Sequence, residues 1–163
     1  MKNTANTRTQ LTLFVPESQS AELQAVRKLL DPVQFGLIAA HVTLCRDEDE
    51  FDAGLLALPA AGALTLQFGA PERFSEHGVL LPCIGGEEAF QALRRRILGR
   101  QDIRRQAPHI TLAHPRNPRA PGNDLANAAS LMSGRSITFT SVCRIQQQVG
   151  SGVWTVLDRF PLL

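Results

Sequence analysis

Short stretches of alternating apolar and polar residues run along the chain between two longer segments with helical spacing. Alternation with β-branched and aromatic residues predicts strands over 11–15, 63–68, 79–83, 136–147 and 153–160. Apolar residues at 23, 26, 29 and 30, and at 89, 90, 93, 97 and 98, predict helices over 17–30 and 87–98. Shorter helices are predicted over 47–58, with acids in the first turn, and over 123–132. Interleaved helices and strands of this kind predict an α+β protein.

Two further apolar stretches contain almost the same tetrapeptide, His-Val-Thr-Leu at 41–44 and His-Ile-Thr-Leu at 109–112. Each lies in a predicted buried strand, over 37–45 and 108–113. Side chains alternate along a strand, so histidine and threonine face one side and the apolar residues face the other. One face of each strand can therefore pack in the core while the other is free for chemistry.

The same alternation gives expectations for two neighbours of the motifs. Cys45 has the parity of His41 and is expected on the chemical face. His114 has the opposite parity from His109 and is expected to face away, unless the chain turns near Pro115.

The two halves of the chain repeat the order helix, motif strand, helix, strand, strand. The motifs stand 68 residues apart, and the strands at 64–68 and 137–140 stand 73 apart. This predicts a duplicated unit of about 70 to 80 residues. We expect a bilobal, pseudo-twofold pair of antiparallel sheets with outer helices, in which the motif strands face each other across a central cleft. The single domain is expected over 11–163, after a flexible polar tail at 1–10.

Composition places the chain among soluble globular proteins. Of its 163 residues 44% are hydrophobic and 20% charged, and the net charge is +2. No apolar run approaches 18 residues, and the N-terminus lacks the apolar core of a signal peptide. We therefore expect a cytoplasmic protein without membrane contact, and a monomer.

The small net charge hides a strong asymmetry along the chain. Five acids lie within 47–52, and eight arginines stand against the single acid Asp102 between Arg94 and Arg119. A basic segment on both sides of the second motif predicts an anionic ligand such as a phosphate. The arginines at 94–96 and 100 fit the solvated face of a helix equally well.

Cysteine and histidine spacing gives no sign of a disulfide framework or a metal site. Cys45, Cys83 and Cys143 are isolated, which predicts free thiols, most of them buried. The four histidines include no pair spaced as zinc ligands on a helix, and no cysteine pair completes a tetrahedral site. We expect neither a metal nor a cofactor.

Two histidines with two threonines suit acid-base chemistry on a bound phosphate. Imidazole has an ordinary pKa of about 6.5, so one histidine can act as base while the other acts as acid near neutral pH. The hydroxyls of Thr43 and Thr111 can donate to the phosphate oxygens on which charge develops. Catalysis by His41 and His109 is therefore expected, with the pseudo-symmetry leaving open which one is the base.

Two His-x-Thr-hydrophobic motifs, one in each half of an α+β chain of this size, resemble the 2H phosphoesterase superfamily, in particular the 2′-5′ RNA ligases and related cyclic phosphodiesterases. The resemblance implies a metal-independent site of both histidines and both threonines, acting on 2′,3′-cyclic phosphates or 2′-5′ linkages. Relatives often have arginine where this chain has His114, and an apolar, glycine-containing segment where it has Cys45 and Arg46. These three residues and Arg116 are candidate substrate contacts.

The resulting expectation is a phosphoesterase that hydrolyses the 2′,3′-cyclic phosphate of an RNA end or of a nucleotide. Two alternatives remain open: 2′-5′ RNA ligation at the same site, and a non-catalytic RNA-binding module in which the arginine segment grips the backbone. Base stacking is a weak prediction, since the candidate aromatics alternate mostly like core residues: Phe14, Phe68, Phe139 and Trp154.

Overall fold

The computed structural model describes residues 7–52, 62–148 and 152–162. Within these ranges the chain forms nine strands, three α-helices and two short 3-10 helices at Asp47–Asp49 and Leu125–Leu131. The strands are β1 (Thr7–Phe14), β2 (His41–Cys45), β3 (Leu64–Phe68), β4 (Glu72–Phe74), β5 (Gly78–Gly85), β6 (His109–Ala113), β7 (Arg135–Phe139), β8 (Ser141–Gln148) and β9 (Trp154–Pro161). The α-helices are α1 (Glu17–Leu30), α2 (Pro32–Leu37) and α3 (Glu87–Leu98).

All the strands join one antiparallel sheet in the order β7-β3-β5-β6-β2-β1-β8-β9, and β4 pairs with β5. The two motif strands, β2 and β6, are neighbours at its centre and pair through Val42 and Ile110. The α+β class is therefore confirmed. In place of two separate sheets, the described strands form one continuous sheet whose two groups of four meet at the motifs.

A strand-helix-strand unit leads into each motif. The first is β1-α1-β2, and the second is β5-α3-β6. The predicted equivalence of 64–68 and 137–140 is wrong, because β3 and β7 lie side by side in the same half of the sheet, with Leu64 opposite Phe139. The predicted strand 136–147 is interrupted at Thr140, so that β7 joins β3 while β8 crosses to β1 and β9.

Several predicted boundaries shift because pairing and capping override local pattern. Residues 7–10 are part of β1 and pair with β8, so the predicted tail over 1–10 is wrong for these four, while 1–6 lie outside the described residues. Residues 37–40 precede the motif strand, since α2 occupies Pro32–Leu37 with its first turn capped by the Asp31 carboxylate, which accepts from the amide of Gln34 at 3.0 Å.

The two predicted short helices also differ in the structure. The segment at 47–58 begins as a 3-10 helix that ends at Glu50, whose φ of 52° is left-handed, and residues 53–61 lie outside the described residues. The segment at 123–132 is a 3-10 helix over Leu125–Leu131 rather than an α-helix.

Each motif strand carries a bulge just after its threonine. Thr12 pairs with Thr43, but the next pair along β1 and β2 is Leu11 with Cys45, so β2 has one extra residue there. The second motif shows the same irregularity against β5, between the Leu80–Thr111 and Val79–Ala113 pairs. A bulge reverses the alternation of the residues that follow it.

The apolar faces of α1 and α3 pack against one side of the sheet and leave the other side of the motif strands for polar residues. Among the fully buried side chains are Leu23 of α1, Phe90 of α3, and the motif residues Val42, Leu44 and Ile110. Within the described residues no helix is long and apolar enough to cross a membrane.

Candidate active site

The histidine and threonine of both motifs lie together on one face, at the centre of the sheet. The antiparallel register through the middle of β2 and β6 sets His41 opposite Thr111, and Thr43 opposite His109. Side chains directly opposite each other in such a pair have Cβ atoms about 5 Å apart. All four are half-buried and line one pocket. The structure thus brings the two predicted motifs into a single site.

Both imidazoles are oriented in the same way by the backbone. Nδ1 of His41 donates to the carbonyl of Ala39 at 2.8 Å, and Nδ1 of His109 donates to the carbonyl of Ala107 at 2.9 Å. A hydrogen bond of this kind fixes the tautomer, so Nε2 carries the lone pair of each neutral ring. Each histidine therefore presents Nε2 as the nitrogen that can take up or give a proton.

The electrostatic environment of His41 favours its neutral form. Burial lowers the pKa of this imidazole to about 4; the Ala39 carbonyl raises it, and the charges of Arg27 and His109 lower it. The ring also lies 6.1 Å from the ring of Phe14, centroid to centroid. At neutral pH, His41 is a proton acceptor.

Thr43 is positioned by a residue that the sequence pattern does not single out. Gln10 on β1 donates from Nε2 to Thr12 Oγ1 at 2.8 Å and approaches Thr43 Oγ1 at 3.4 Å. Because the amide donates to the threonine oxygen, the hydroxyl hydrogen of Thr43 stays available for an acceptor in the pocket.

The bulges correct two sequence expectations. Cys45 is fully buried and does not line the pocket, since after the bulge it shares the core face of Leu11. Burial raises the pKa of the Cys45 thiol to about 12. His114 does line the pocket, because Ala113 takes the core face and the next residue returns to the site. The prediction that Cys45 could contact substrate is therefore wrong, as is the expectation that His114 faces away.

Arg46 and Arg116, two of the candidate substrate contacts, line the pocket together with Arg8. Arg46 lies 3.8 Å from Glu48, which also lines the pocket. The backbone amide of Arg116 donates to Nδ1 of His114 at 3.1 Å. Burial lowers the pKa of His114, and the charge of Arg116 lowers it further.

Two connected cavities open from the motifs. The inner pocket has a volume of about 350 Å³ and is lined by Arg8, Thr9, Gln10, Gln34, His41, Thr43, Arg46, Asp47, Glu48, His109, Thr111, His114, Arg116 and Trp154. The outer recess, of about 660 Å³, is lined by Arg8, Val33, Gln34, Leu37, His114, Arg116, Asn117, Gln147, Gly152 and Trp154. Five residues are common to both, so the two form one trough.

Most of the basic segment serves the fold. Arg94 is fully buried, Arg104 donates to both carboxylate oxygens of Asp49 at 2.9 and 3.0 Å, and Arg105 pairs with Glu87 at 2.6 Å. Of the eight arginines in this segment, only Arg116 lines the inner pocket. The charge excess that predicted an anion site thus owes much to structural pairs.

Two buried arginines support the motif strands from the helices. Arg27 on α1 donates to the carbonyl of Thr111 on β6 at 3.3 Å and to the carbonyl of Ile38 at 2.7 Å. Arg94 on α3 makes the reciprocal bond to the carbonyl of Leu44 on β2 at 2.9 Å. Each helix therefore holds the motif strand that follows the other helix.

A glutamine three residues earlier accompanies each of these arginines. Arg27 donates to Gln24 Oε1 at 2.5 Å, and Arg94 donates to Gln91 Oε1 at 3.3 Å. The sequence signal is the repeated Gln-Ala-x-Arg at 24–27 and 91–94, which has nearly the spacing of the motifs. This repeat is hard to recognise in the sequence because both copies lie within helices of ordinary periodicity.

Arg8 and Gln10 are site residues that sequence reasoning missed, and Trp154 entered it only as a weak candidate for base stacking. They come from β1 and β9, far in sequence from both motifs, and reach the pocket only through the pairing of β1 with β2 and β8. Among the residues that the structure describes, no three His, Cys, Asp or Glu side chains lie together as a metal site.

No family model and no curated protein matches the chain. Solved structures do. Escherichia coli LigT in complex with NADP+ superposes with a TM-score of 0.57 at 16% identity, covering 96% of this chain and 98% of that one. A structure described as a phosphoesterase superposes with a TM-score of 0.56 at 16% identity, covering 96% of this chain and 98% of that one. A Thermus thermophilus protein superposes with a TM-score of 0.57 at 19% identity, covering 95% of this chain and 97% of that one.

The chain therefore has the fold of LigT and of this phosphoesterase over almost its whole length. This likeness shows the fold and agrees with the resemblance that the two His-x-Thr-Leu motifs indicated.

Proposed function

We propose that this protein is a metal-independent phosphoesterase that hydrolyses 2′,3′-cyclic phosphates of RNA ends or nucleotides by two-histidine acid-base catalysis. One observation carries the proposal: the two motifs lie on adjacent antiparallel strands, with His41 opposite Thr111 and Thr43 opposite His109 in one pocket. A phosphate at the centre of this arrangement has an imidazole and a hydroxyl on either side.

The environment of His41 supports the role of base for this residue. Its pKa, lowered to about 4 by burial, keeps it neutral at pH 7, so Nε2 accepts a proton from water. The water oxygen bonds to phosphorus, the bond from phosphorus to one ribose oxygen breaks, and the imidazolium form of His109 gives its Nε2 proton to that oxygen. The products are a phosphomonoester and a free ribose hydroxyl.

The threonines and arginines stabilise the charge that builds on phosphate. Thr43 and Thr111 donate hydroxyl hydrogens to the non-bridging oxygens, and Gln10 fixes the orientation of the first. Arg8, Arg46 and Arg116 give the pocket a positive field that the carboxylates of its wall, at 47 and 48, only partly offset.

The solved LigT structures hold phosphate-bearing ligands, among them ATP, phosphate and 3′-AMP. A site of the same fold with a cationic, two-histidine pocket supports a phosphorylated ligand here. A cytoplasmic, monomeric protein stays our prediction.

The test is turnover of an oligonucleotide with a 2′,3′-cyclic phosphate end by the parent and by His41→Ala and His109→Ala. We expect each variant to lose on the order of a hundredfold or more in kcat, because each loses a proton-transfer group. His77→Ala is the matched control, since this histidine binds the carbonyl of Asn117 and does not line the pocket. Binding without turnover by the parent would favour the RNA-binding module.

The same assay separates hydrolysis from ligation. An added RNA with a free 5′-hydroxyl competes with water for phosphorus at the same site. We expect the phosphomonoester as the main product, whereas a main product with a 2′-5′ linkage would assign the chain to ligation.

A further inference from the structure

The trough has more volume than a cyclic phosphate and its ribose require. The outer recess has about 660 Å³ beside the 350 Å³ of the inner pocket. Sites of 300 to 1,000 Å³ bind ligands of the size of a nucleotide or larger. The shared wall includes Arg8, Arg116 and Trp154, so a ligand that fills the inner pocket passes these residues on its way out.

A transverse row of side chains on β1, β8 and β9 forms one wall of the recess. Arg8 pairs with Gln147, and Gln147 pairs with Trp154, so the three lie side by side on one face. Arg8 donates from Nε to Gln147 Oε1 at 3.1 Å, and its guanidinium lies 5.5 Å from the centre of the Trp154 ring. A half-buried tryptophan beside a cation is a surface on which a nucleobase can stack.

The cations of the trough differ in how they are neutralised. Arg46 is paired with Glu48. Arg8 and Arg116, within the described part of the chain, have no carboxylate within ion-pair distance. Two guanidinium groups without a counter-charge, at the boundary of the two cavities, suit a second anionic group in the ligand.

The opposite side of the motifs has a different character. On β5, the residues paired with Thr111 and His109 are Leu80 and Pro82, both of them apolar. The charged and hydrogen-bonding groups are thus concentrated toward β1, β8 and β9. A polyanionic ligand has one favourable direction out of the inner pocket.

From this arrangement we propose that the substrate is an RNA end of at least two nucleotides. The terminal cyclic phosphate lies at the histidines, Arg8 and Arg116 bind the phosphodiester that links the last two nucleotides, and the base of the preceding nucleotide stacks on Trp154. This inference rests on the proposed function and adds a preference for RNA ends over free nucleotides.

The kinetic test compares cytidine 2′,3′-cyclic phosphate with a cytidine dinucleotide that ends in the same cyclic phosphate. The parent is expected to favour the dinucleotide in kcat/KM by roughly tenfold to a hundredfold, the effect of one stacked base. Trp154→Ala brings the ratio of the two close to one, and Trp154→Phe keeps most of the preference. Equal kcat/KM values for the two substrates in the parent overturn the inference, as does an equal loss on both in Trp154→Ala.

A binding test stands apart from turnover, because Trp154 is the single tryptophan of the chain. A dinucleotide with a 3′-phosphate is expected to quench its fluorescence to saturation, and cytidine 3′-phosphate to quench it far less. Arg8→Ala weakens the dinucleotide binding, whereas the control Arg105→Ala, an exposed arginine paired with Glu87, leaves it unchanged.

The two proposals fail in different ways. If the dinucleotide quenches the fluorescence but is not turned over, binding in the recess is supported and the phosphoesterase activity is rejected. If the substrate is turned over but the two ligands quench equally, the phosphoesterase activity is supported and the role of the recess in binding a second nucleotide is rejected.

Discussion

Arg27 on the first helix donates from Nε to the main-chain carbonyl of Thr111, 3.3 Å away on the second motif strand. The arginine is buried, and burial lowers its pKa to about 10. The negative charge of Asp31 acts in the opposite direction and raises the pKa. With the reciprocal bond from Arg94 to Leu44, it links each helix to the motif of the other half. The relative position of the two motifs is thus fixed from within the fold.

Arg27→Met is expected to destabilise the protein and to slow turnover. The change leaves buried carbonyls at Thr111 and Ile38 without their donor, at a cost of about 3 kcal/mol in the free energy of unfolding. Urea unfolding measures the loss, and kcat should fall because Thr111 is no longer held. Arg105→Met is the exposed control and should change stability by less than about 1 kcal/mol.

Thr43→Val and Thr111→Val are each expected to lower kcat by roughly a hundredfold while KM changes little. Valine keeps the β-branched shape and the strand propensity but removes the donor to the phosphate oxygens. Thr→Ser at either site should restore much of the rate. Steady-state kinetics on the cyclic phosphate substrate, together with unfolding curves, separate this loss from misfolding; unchanged kcat in both valine variants contradicts the role.

The lowered pKa of His41 predicts the pH dependence of activity. If His41 is the base, the acid limb of kcat/KM lies well below the ordinary imidazole range, toward pH 4. Arg27→Met removes one of the charges that lower this pKa, so it should shift the limb to higher pH. An acid limb at pH 6 to 7 in the parent would assign the base to another group.

The same shift predicts a loss of stability on acidification. Unfolded His41 binds a proton near pH 6.5, whereas folded His41 binds it only near pH 4. His41 therefore makes its full contribution to the free energy of unfolding above pH 6.5, and this contribution is lost as the pH falls toward 4. His41→Asn should make the stability curve flatter in this window, and the control His77→Asn should not.

Asp49→Asn is expected to cost about 3 kcal/mol, since it leaves the buried Arg94 without its carboxylate. Burial raises the pKa of Asp49, but hydrogen bonds from Arg104 and from the amide of Arg46, with the charges of Arg104 and Arg94, lower it overall. This stabilisation is present above the ordinary carboxyl range and lost as the pH falls below it. Asp158→Asn, which breaks a surface pair with Arg144, is the matched control and should cost less than about 1 kcal/mol.

The sequence predicted the helices at 17–30 and 87–98 and the motif strands well, because their periodicity and the long-range repeat agree with the packing. It failed where tertiary pairing decides. Cys45 and His114 were assigned to the wrong faces because a bulge at each motif reverses parity, and a bulge is set by the partner strand.

The remainder of the site could not be predicted because it depends on which strands meet. Alternation makes Trp154 only a weak candidate for stacking, yet β9 lies at the edge of the sheet and the Trp154 ring lines the trough. Arg8 fell within a predicted tail that is in fact paired with β8. Local pattern contains no information on these long-range pairings.

The most direct measurement of the central claim, that the two motifs form one catalytic unit, is a double-variant cycle of His41→Ala and His109→Ala on a 2′,3′-cyclic phosphate substrate. If the histidines act together on one phosphate, the double variant loses about as much in kcat as either single variant, because removing one already disables the unit. Losses that multiply in the double variant, or substantial activity in either single one, would contradict the account.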